Sequence, residues 1–288
     1  MTGTHGTNRD DSFTPMPRDE GVSGDLGVAE VGTTEQIAAR YSPETGTVYF
    51  PAVNPAKADP LKKGGRRGDE HVLPMEPSPA SAERRLRKLK SVRVLGRRGH
   101  TTPRGRTSIW MLSKAAFRRE VKYMGRPDDN YPGWPKRVQH LLDTNDVYFQ
   151  LAGELDTILK GTCHGPDPVW EWRNEARAYE RYSVSWEPRP RYHQPDAEIL
   201  FCGNLFILER QTERSKKPAE IIAKKVLDHN ARADYLDAKE QSKIVFACDT
   251  QRDADNALRA GDDSDLPVVA ASVEEVVSYL TDEALRLS

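Results

Sequence analysis

Apolar and polar positions alternate with two different periods along this chain, and the change of period marks out its elements. Ala197–Cys202 and Leu205–Leu208 are short apolar runs, too short for helices, and read as β-strands. Gly203-Asn204 lies between them. Both residues tolerate positive φ, so the pair predicts a two-residue hairpin turn. Lys243–Asp249 predicts a buried strand and Leu266–Ala270 a last one. Helical spacing predicts helices over Pro218–Tyr235, with Ile221, Ile222, Val226 and Leu227 inward, from Thr250 to Leu258, and over Val273–Leu287. Pro168–Arg181 also reads as a helix, because Trp172, Ala176 and Tyr179 recur at i, i+4 and i+7 with Glu171 and Glu175 on a neighbouring face. Tyr182–Trp186 alternates as a strand.

The N-terminal half is more broken. Residues 1–30 are polar and rich in Gly, Asp and Thr, and are expected to be disordered. Gly32–Tyr41 predicts a short helix capped by Thr33 or Thr34. Ser42–Pro79 is rich in Pro, Gly and charge, with a short strand candidate at Thr47–Phe50 and a basic loop at Lys62–Arg67. Ser81–Lys90 predicts a capped helix with Leu86 and Leu89 inward, Val92–Leu95 a strand, Gly96–Arg106 a basic loop, and Thr107–Leu112 a second strand. Ser113 caps the helix after it. Helix, strand, basic hairpin loop, strand, helix is the order of a winged helix. Residues 121–135 form a Pro/Gly/Asp connector. Arg137–Lys160 is helical in period, with a cap signal at Thr144-Asn145 and an apolar stripe of Val147, Leu151, Leu155 and Ile158. His140 reads most simply as a helix-surface or packing histidine.

At 288 residues the chain has room for two compact domains. The expected layout is a disordered tail (1–30), a winged-helix DNA-binding domain (31–125), connecting helices (126–164) and a second α/β domain (165–288). The formal net charge of −1 hides a strong asymmetry: Arg84 to Arg119 holds thirteen Lys/Arg and no Asp/Glu. That concentration suits phosphate contacts from a helix and a wing tip, through Arg84, Arg85, Arg87, Lys88, Arg97, Arg98, Arg104 and Arg106. The alternative is a solvated basic face with no partner. Cys163, Cys202 and Cys248 fit neither a disulfide framework nor a Cys-x-x-Cys zinc pattern, and two of them lie in apolar runs where a reduced, buried thiol is expected. A cytoplasmic location follows from that chemistry. No apolar run is long enough to span a membrane, so no membrane partner is expected.

The candidate chemistry is a pair of acids. Asp196 opens one strand of the hairpin and Glu209 closes the other, so both fall at the same end. Two carboxylates there would suit a hard cation such as Mg²⁺. The alternative reading has Asp196 accepting local backbone N–H groups, Glu209 in a surface ion pair with Arg210 or Arg214, and Gln211 as polar filler.

Pro195-Asp196 followed by Glu209-Arg210-Gln211, with helices on either side, resembles the PD-(D/E)xK nuclease superfamily over about residues 165–250. The resemblance implies an αβββαβ restriction-endonuclease-like core, α/β in class (α+β for the whole chain), in which Asp196 and Glu209 bind Mg²⁺. Gln211 stands where that superfamily has its Lys, and a glutamine cannot serve as a general base near neutral pH. Lys224 and Lys225, or more weakly Lys216 and Lys217, are the candidates to replace it. Glu175 matches an additional acid carried by many members.

The whole arrangement is also similar to the replication-relaxation proteins of plasmids and mobile genetic elements. The residues that carry this are Thr34–Ala38, Arg84–Leu89, Ser108–Leu112, His140–Leu142, Asn145–Tyr148, Pro195-Asp196 and Phe206–Glu209. The chain departs from that pattern in the insertion at 42–79, and at Gln211, where many relatives have an acid. The resemblance implies a winged helix joined to a nuclease-like domain, double-stranded DNA as partner, and replication or conjugation proteins as further partners. Three functions stand open: a DNA-binding accessory protein of plasmid or mobile-element replication, an active Mg²⁺-dependent endodeoxyribonuclease, and a transcriptional regulator with an inert nuclease-like domain. In the third, Trp170, Trp172 and Trp186 would line an interface rather than a core.

Overall fold

The computed structural model describes residues 17–40, 79–102, 105–159, 163–182, 193–212, 217–235 and 242–288. The chain is mixed α/β with two sheets. The first part runs α1 (Pro17–Ala29), β1 (Val31–Thr33), α2 (Thr34–Ala39), α3 (Pro79–Ser91), β2 (Leu95–Thr102), β3 (Gly105–Leu112) and α4 (Lys114–Tyr123). Its sheet has the order β1-β3-β2, antiparallel throughout. Then α5 (Val138–Ile158) leads to β4 (Trp170–Asn174), α6 (Glu175–Tyr182), β5 (Ala197–Phe201), β6 (Asn204–Gln211), α7 (Pro218–Tyr235), β7 (Ser242–Cys248), α8 (Gln251–Gly261), β8 (Val268–Ala271) and α9 (Val273–Leu287). The second sheet has the order β4-β5-β6-β7-β8. β4, β5 and β6 form an antiparallel meander, and β7 and β8 add in parallel through α7 and α8. Parallel strands covered on both faces need continuous apolar runs, which Leu205–Leu208 and Ile244–Cys248 supply.

The ends of several helices follow from local sequence. Thr33 and Ser272 close capping boxes with Gln36 and Glu275, and Ser113 and Thr250 cap α4 and α8. One hydrophobic core runs without a break from α1 through α3, β3, α4 and α5 to α9 and one face of the second sheet. A separate core lies on the other face, under α7 and α8. Polar contacts reinforce the junction. Asn145 Nδ2 donates to the carbonyls of Ala29 (2.9 Å) and Val31 (2.8 Å), and Gln36 Nε2 donates to the carbonyl of Leu142 (2.9 Å) and to Asp146 (2.6 Å). Tyr148 Oη donates to Asp25 at 2.9 Å, with His164 3.1 Å away.

Several expectations are corrected. The segment expected to be disordered through Glu30 is helical from Pro17, and Val22, Leu26 and Val28 are buried. Its polar composition hides them because Asp19 and Asp25, also buried, are matched by Arg85 and Arg40. The basic loop Gly96–Arg106 is mostly two paired strands. Pro168–Arg181 is not one helix: Trp170–Asn174 is an edge strand with Trp170 and Trp172 buried by period two, and the helix starts at Glu175. The helical spacing of Trp172 and Ala176 is coincidental, since the shorter alternation decides the first half. Thr144-Asn145 does not end a helix; both are buried within α5, where Asn145 bonds a neighbouring strand rather than its own turn. Ile221 and Leu227 of α7 are exposed. Thr47–Phe50, Lys62–Arg67, Ser183–Trp186 and Arg104 lie outside the described residues.

The hairpin turn sits one residue earlier than expected. Phe201 pairs with Asn204, leaving Cys202 (φ 45°) and Gly203 (φ 81°) as the central residues, so both take positive φ as a type I′ turn demands. Cys202 is therefore exposed rather than buried in a strand. A non-glycine residue in this region is strained by about 1–2 kcal/mol, and asparagine tolerates it best. Cys202→Asn, giving the favoured Asn-Gly turn, should raise stability by about 0.5–1 kcal/mol, read as a higher denaturant midpoint with unchanged slope.

Candidate functional site

The meander brings Asp196 and Glu209 to one end of the β5–β6 ladder. Ala197 pairs with Leu208, Asp196 lies just before the one and Glu209 just after the other, and the Asp196 N–H donates to the carbonyl of Leu208 at 3.1 Å. The two acids have different surroundings. Asp196 Oδ1 accepts from His140 Nε2 of α5 at 2.6 Å, and Oδ2 accepts from the backbone N–H of Arg210 at 2.7 Å. Glu209 is fully buried. Its Oε2 accepts from Lys225 Nζ at 2.5 Å and its Oε1 from His229 Nε2 at 2.7 Å, both on α7, and His193 Nε2 stands 3.5 Å from Oε1.

The electrostatics follow from these contacts. Burial alone would push the Glu209 carboxyl up, but the Lys225 charge, the nearby His193 ring and the hydrogen bond of His229 outweigh it and hold it well below the ordinary value. Burial likewise opposes the charged form of Lys225. Glu209 and Asp196 both act against it and raise the ammonium, so Lys225 lies in the field of both acids. The hydrogen bond to Asp196 raises the His140 imidazole against a smaller opposing effect of burial.

Of the two candidate lysines, Lys225 is the one at the site, with its side chain 11% exposed; Lys224 is 75% exposed and pairs with Asp228. Lys217 is exposed and pairs with Glu220, and Lys216 lies outside the described residues. Gln211 is buried at the end of β6, where its backbone carbonyl accepts from Arg210 Nη1 (2.9 Å) and the Asp249 N–H (3.0 Å). Glu175 begins α6, pairs with Arg137 and reaches His140 only through its field. The alternative pairing of Glu209 with Arg210 is overturned, because neighbouring strand residues face opposite ways: Arg210 turns to the other face and bonds Asp249 and the carbonyls of Asp143 and Ala247.

Two site residues, His229 and His193, went unread in the sequence, and a third, His140, reads there as a packing histidine. His229 lies four residues after Lys225, so the two share a face of α7, and that spacing was the available signal. His193 comes from the loop before Asp196, and His140 from a helix distant in sequence, where no local pattern announces the contact. Each oxygen of both acids already accepts one hydrogen bond, so a divalent ion here would share them with His140, Lys225 and His229. Among the described residues no three His, Cys, Asp or Glu side chains form a metal-holding group.

The basic candidates divide. Arg84, Arg87 and Lys88 are exposed along α3, with Arg87 63% exposed beside Glu83. Arg98 and Arg106 are exposed on the β2–β3 hairpin, where Arg98 lies 4.7 Å over the Trp134 ring. Arg97 stands 5.5 Å over Trp110 and bonds Ser108 and Glu83. Arg85 is different: its side chain is 18% exposed and forms a two-nitrogen ion pair with Asp19 of α1, so it holds α3 to α1 rather than facing a ligand. In comparison with known proteins, no family model matches the chain, and neither a curated protein nor a solved structure does so.

The Glu209–Lys225 pair makes a sharp energetic demand. Lys225→Met should destabilise by about 3–5 kcal/mol, because it leaves a buried carboxylate without its cation, whereas Glu209→Gln/Lys225→Met should recover most of that loss. Glu209 has a depressed folded pKa, so its contribution is fully present above about 4.5 and is lost as pH falls below it. Stability against pH, followed by chemical denaturation, should drop more steeply below 4.5 in the wild type than in the double variant.

Proposed function

We propose that this chain is a DNA-binding accessory protein of mobile-element replication or DNA processing, with a winged-helix module joined to a nuclease-like domain. The observation that carries the first half is the order α1-β1-α2-α3-β2-β3 with strands arranged β1-β3-β2, together with exposed cations on α3 and on the β2–β3 hairpin. A helix and a hairpin wing with Arg87, Lys88, Arg98 and Arg106 outward can track the phosphates of a duplex. The second half is supported by the succession of α5, the β4-β5-β6 meander, α7 and parallel β7, an αβββαβ order with α6 inserted between its first two strands. Replication or conjugation proteins would be the partners in such a role. Affinity for duplex DNA should fall steeply with salt. Lys88→Ala/Arg106→Ala should lower the slope of log affinity against log salt by about 2, in proportion to the phosphate contacts removed. Fluorescence anisotropy on a labelled duplex measures both, and absence of binding at low salt would remove this reading.

One observation favours a second reading, a nuclease centred on the acids: Lys225 reaches Glu209 from α7 while lying in the field of Asp196, and so supplies from the helix the cation that Gln211 cannot. Supercoiled plasmid incubated with Mg²⁺ or Mn²⁺ should then be nicked, and Asp196→Ala should reduce the rate by at least about a hundredfold, the scale lost with a catalytic group. Cutting unchanged by the substitution would refute this site. A chain that binds one defined operator and cuts nothing would instead be a regulator.

A further inference from the structure

We propose that the cleft between α1, the loop after α4 and the β4–α6 junction binds the phosphate group of a nucleotide. The cleft has a volume of about 750 Å³ and brings together Arg126, Arg173 and Arg177 with the amides of Asn130 and Asn174 and the carboxyls of Glu30, Asp128 and Asp129. That size suits a nucleoside phosphate and exceeds what a lone inorganic ion needs.

The guanidinium of Arg126 is the deciding group. One of its terminal nitrogens faces the thioether of Met124 at 2.6 Å, a weak acceptor. The other is buried without a hydrogen-bond acceptor in line; the Asp129 carboxylate stands 3.2 Å away but off the donor direction. Burial and the neighbouring charge of Arg177 both work against its charged form. Arg173 and Arg177 both turn to the same carboxylate, Glu171, each with a 2.8 Å contact, and Arg173 lies only loosely against Glu198 at 3.7 Å. Arg173 bonds Glu171 through two nitrogens and Arg177 also bonds the carbonyl of Trp172 at 3.1 Å, so of the three cations Arg126 is the one that lacks a strong acceptor. A phosphate offers several oxygens in the fork geometry that guanidinium groups match, and it relieves the repulsion between Arg126 and Arg177.

The opposite wall fits the same ligand. Burial raises the Glu30 carboxyl to about 7, against a smaller opposing effect of its 2.9 Å hydrogen bond from Asn174. Near neutral pH this side chain exists in part as a neutral hydrogen-bond donor, which an anion tolerates. Asn174 pairs across the sheet with Ala197, the residue after Asp196, so the cleft opens beside the carboxylate end of the second sheet. A free mononucleotide and the phosphorylated end of a strand present the same group.

Isothermal titration of the full chain with inorganic phosphate, a deoxynucleoside 5′-monophosphate and a 5′-phosphorylated single-stranded oligonucleotide tests the site. The two nucleotide probes should bind saturably, more tightly than phosphate alone. Equal affinity for the two identifies a free nucleotide as the ligand, and tighter binding of the oligonucleotide a strand end. Arg126→Met should weaken binding about ten- to a hundredfold, the scale of a lost charge-assisted bond. Asp129→Asn removes the competing carboxylate and should tighten binding several-fold, so the test stands even if the first variant folds poorly. Lys88→Ala/Arg106→Ala should leave this binding unchanged, which separates it from duplex binding by the hairpin. No saturable binding of the nucleotide probes at millimolar concentration, or weaker binding by Asp129→Asn, would overturn the proposal.

Discussion

A carboxylate with no exposure to water has to be neutralised where it stands, and the end of the second sheet is organised around that need. Glu209 closes β6 with its side chain between the sheet and α7, where the Lys225 ammonium and the His229 imidazole meet it one turn apart. Leaving such a charge unpaired costs several kcal/mol, so the helix can sit on the strand in one register only. The same requirement sets the place of α7 along the sheet, and through it the parallel entry of β7. Asp196 makes a milder version of the demand on the other side, met by His140 of α5 and a backbone N–H. Two helices are thereby pinned to the same strand ends by opposite charges.

α5 carries the second constraint. Its apolar face belongs to the core that runs from α1 to α9, and its polar side chains reach both sheets: Asn145 bonds the carbonyls flanking the start of β1, and His140 bonds Asp196. The helix that the sequence presents as a connector is the central element of the fold.

Much of this was legible in the residues. Short apolar runs ended by turn signals located β5, β6 and β7, and side-chain caps located α2, α4 and α8, because these elements are decided by neighbours a few residues away. The placing of Asp196 and Glu209 at one end also followed from the hairpin turn expected between their strands. What local pattern could not supply were decisions made by distant partners. α1 looks disordered because its buried aspartates are matched by arginines from α2 and α3. β4 imitates a helix because an edge strand five residues long leaves too few alternations to outweigh a chance spacing. The choice of Lys225 over Lys224 depends on which way α7 faces, and His140 becomes a site residue only when α5 crosses the sheet.

The polar junction has a mechanical meaning. Gln36 is held by Leu142 and Asp146, Asn145 grips the junction of α1 and β1, and an unbroken apolar core lies beneath them. Among the described residues, these contacts tie the basic hairpin and the acidic strand ends into one packed body. A stiff polymer gripped by that hairpin would meet the second sheet at one set angle and distance, so any bending needed to bring the two together has to be done by the polymer.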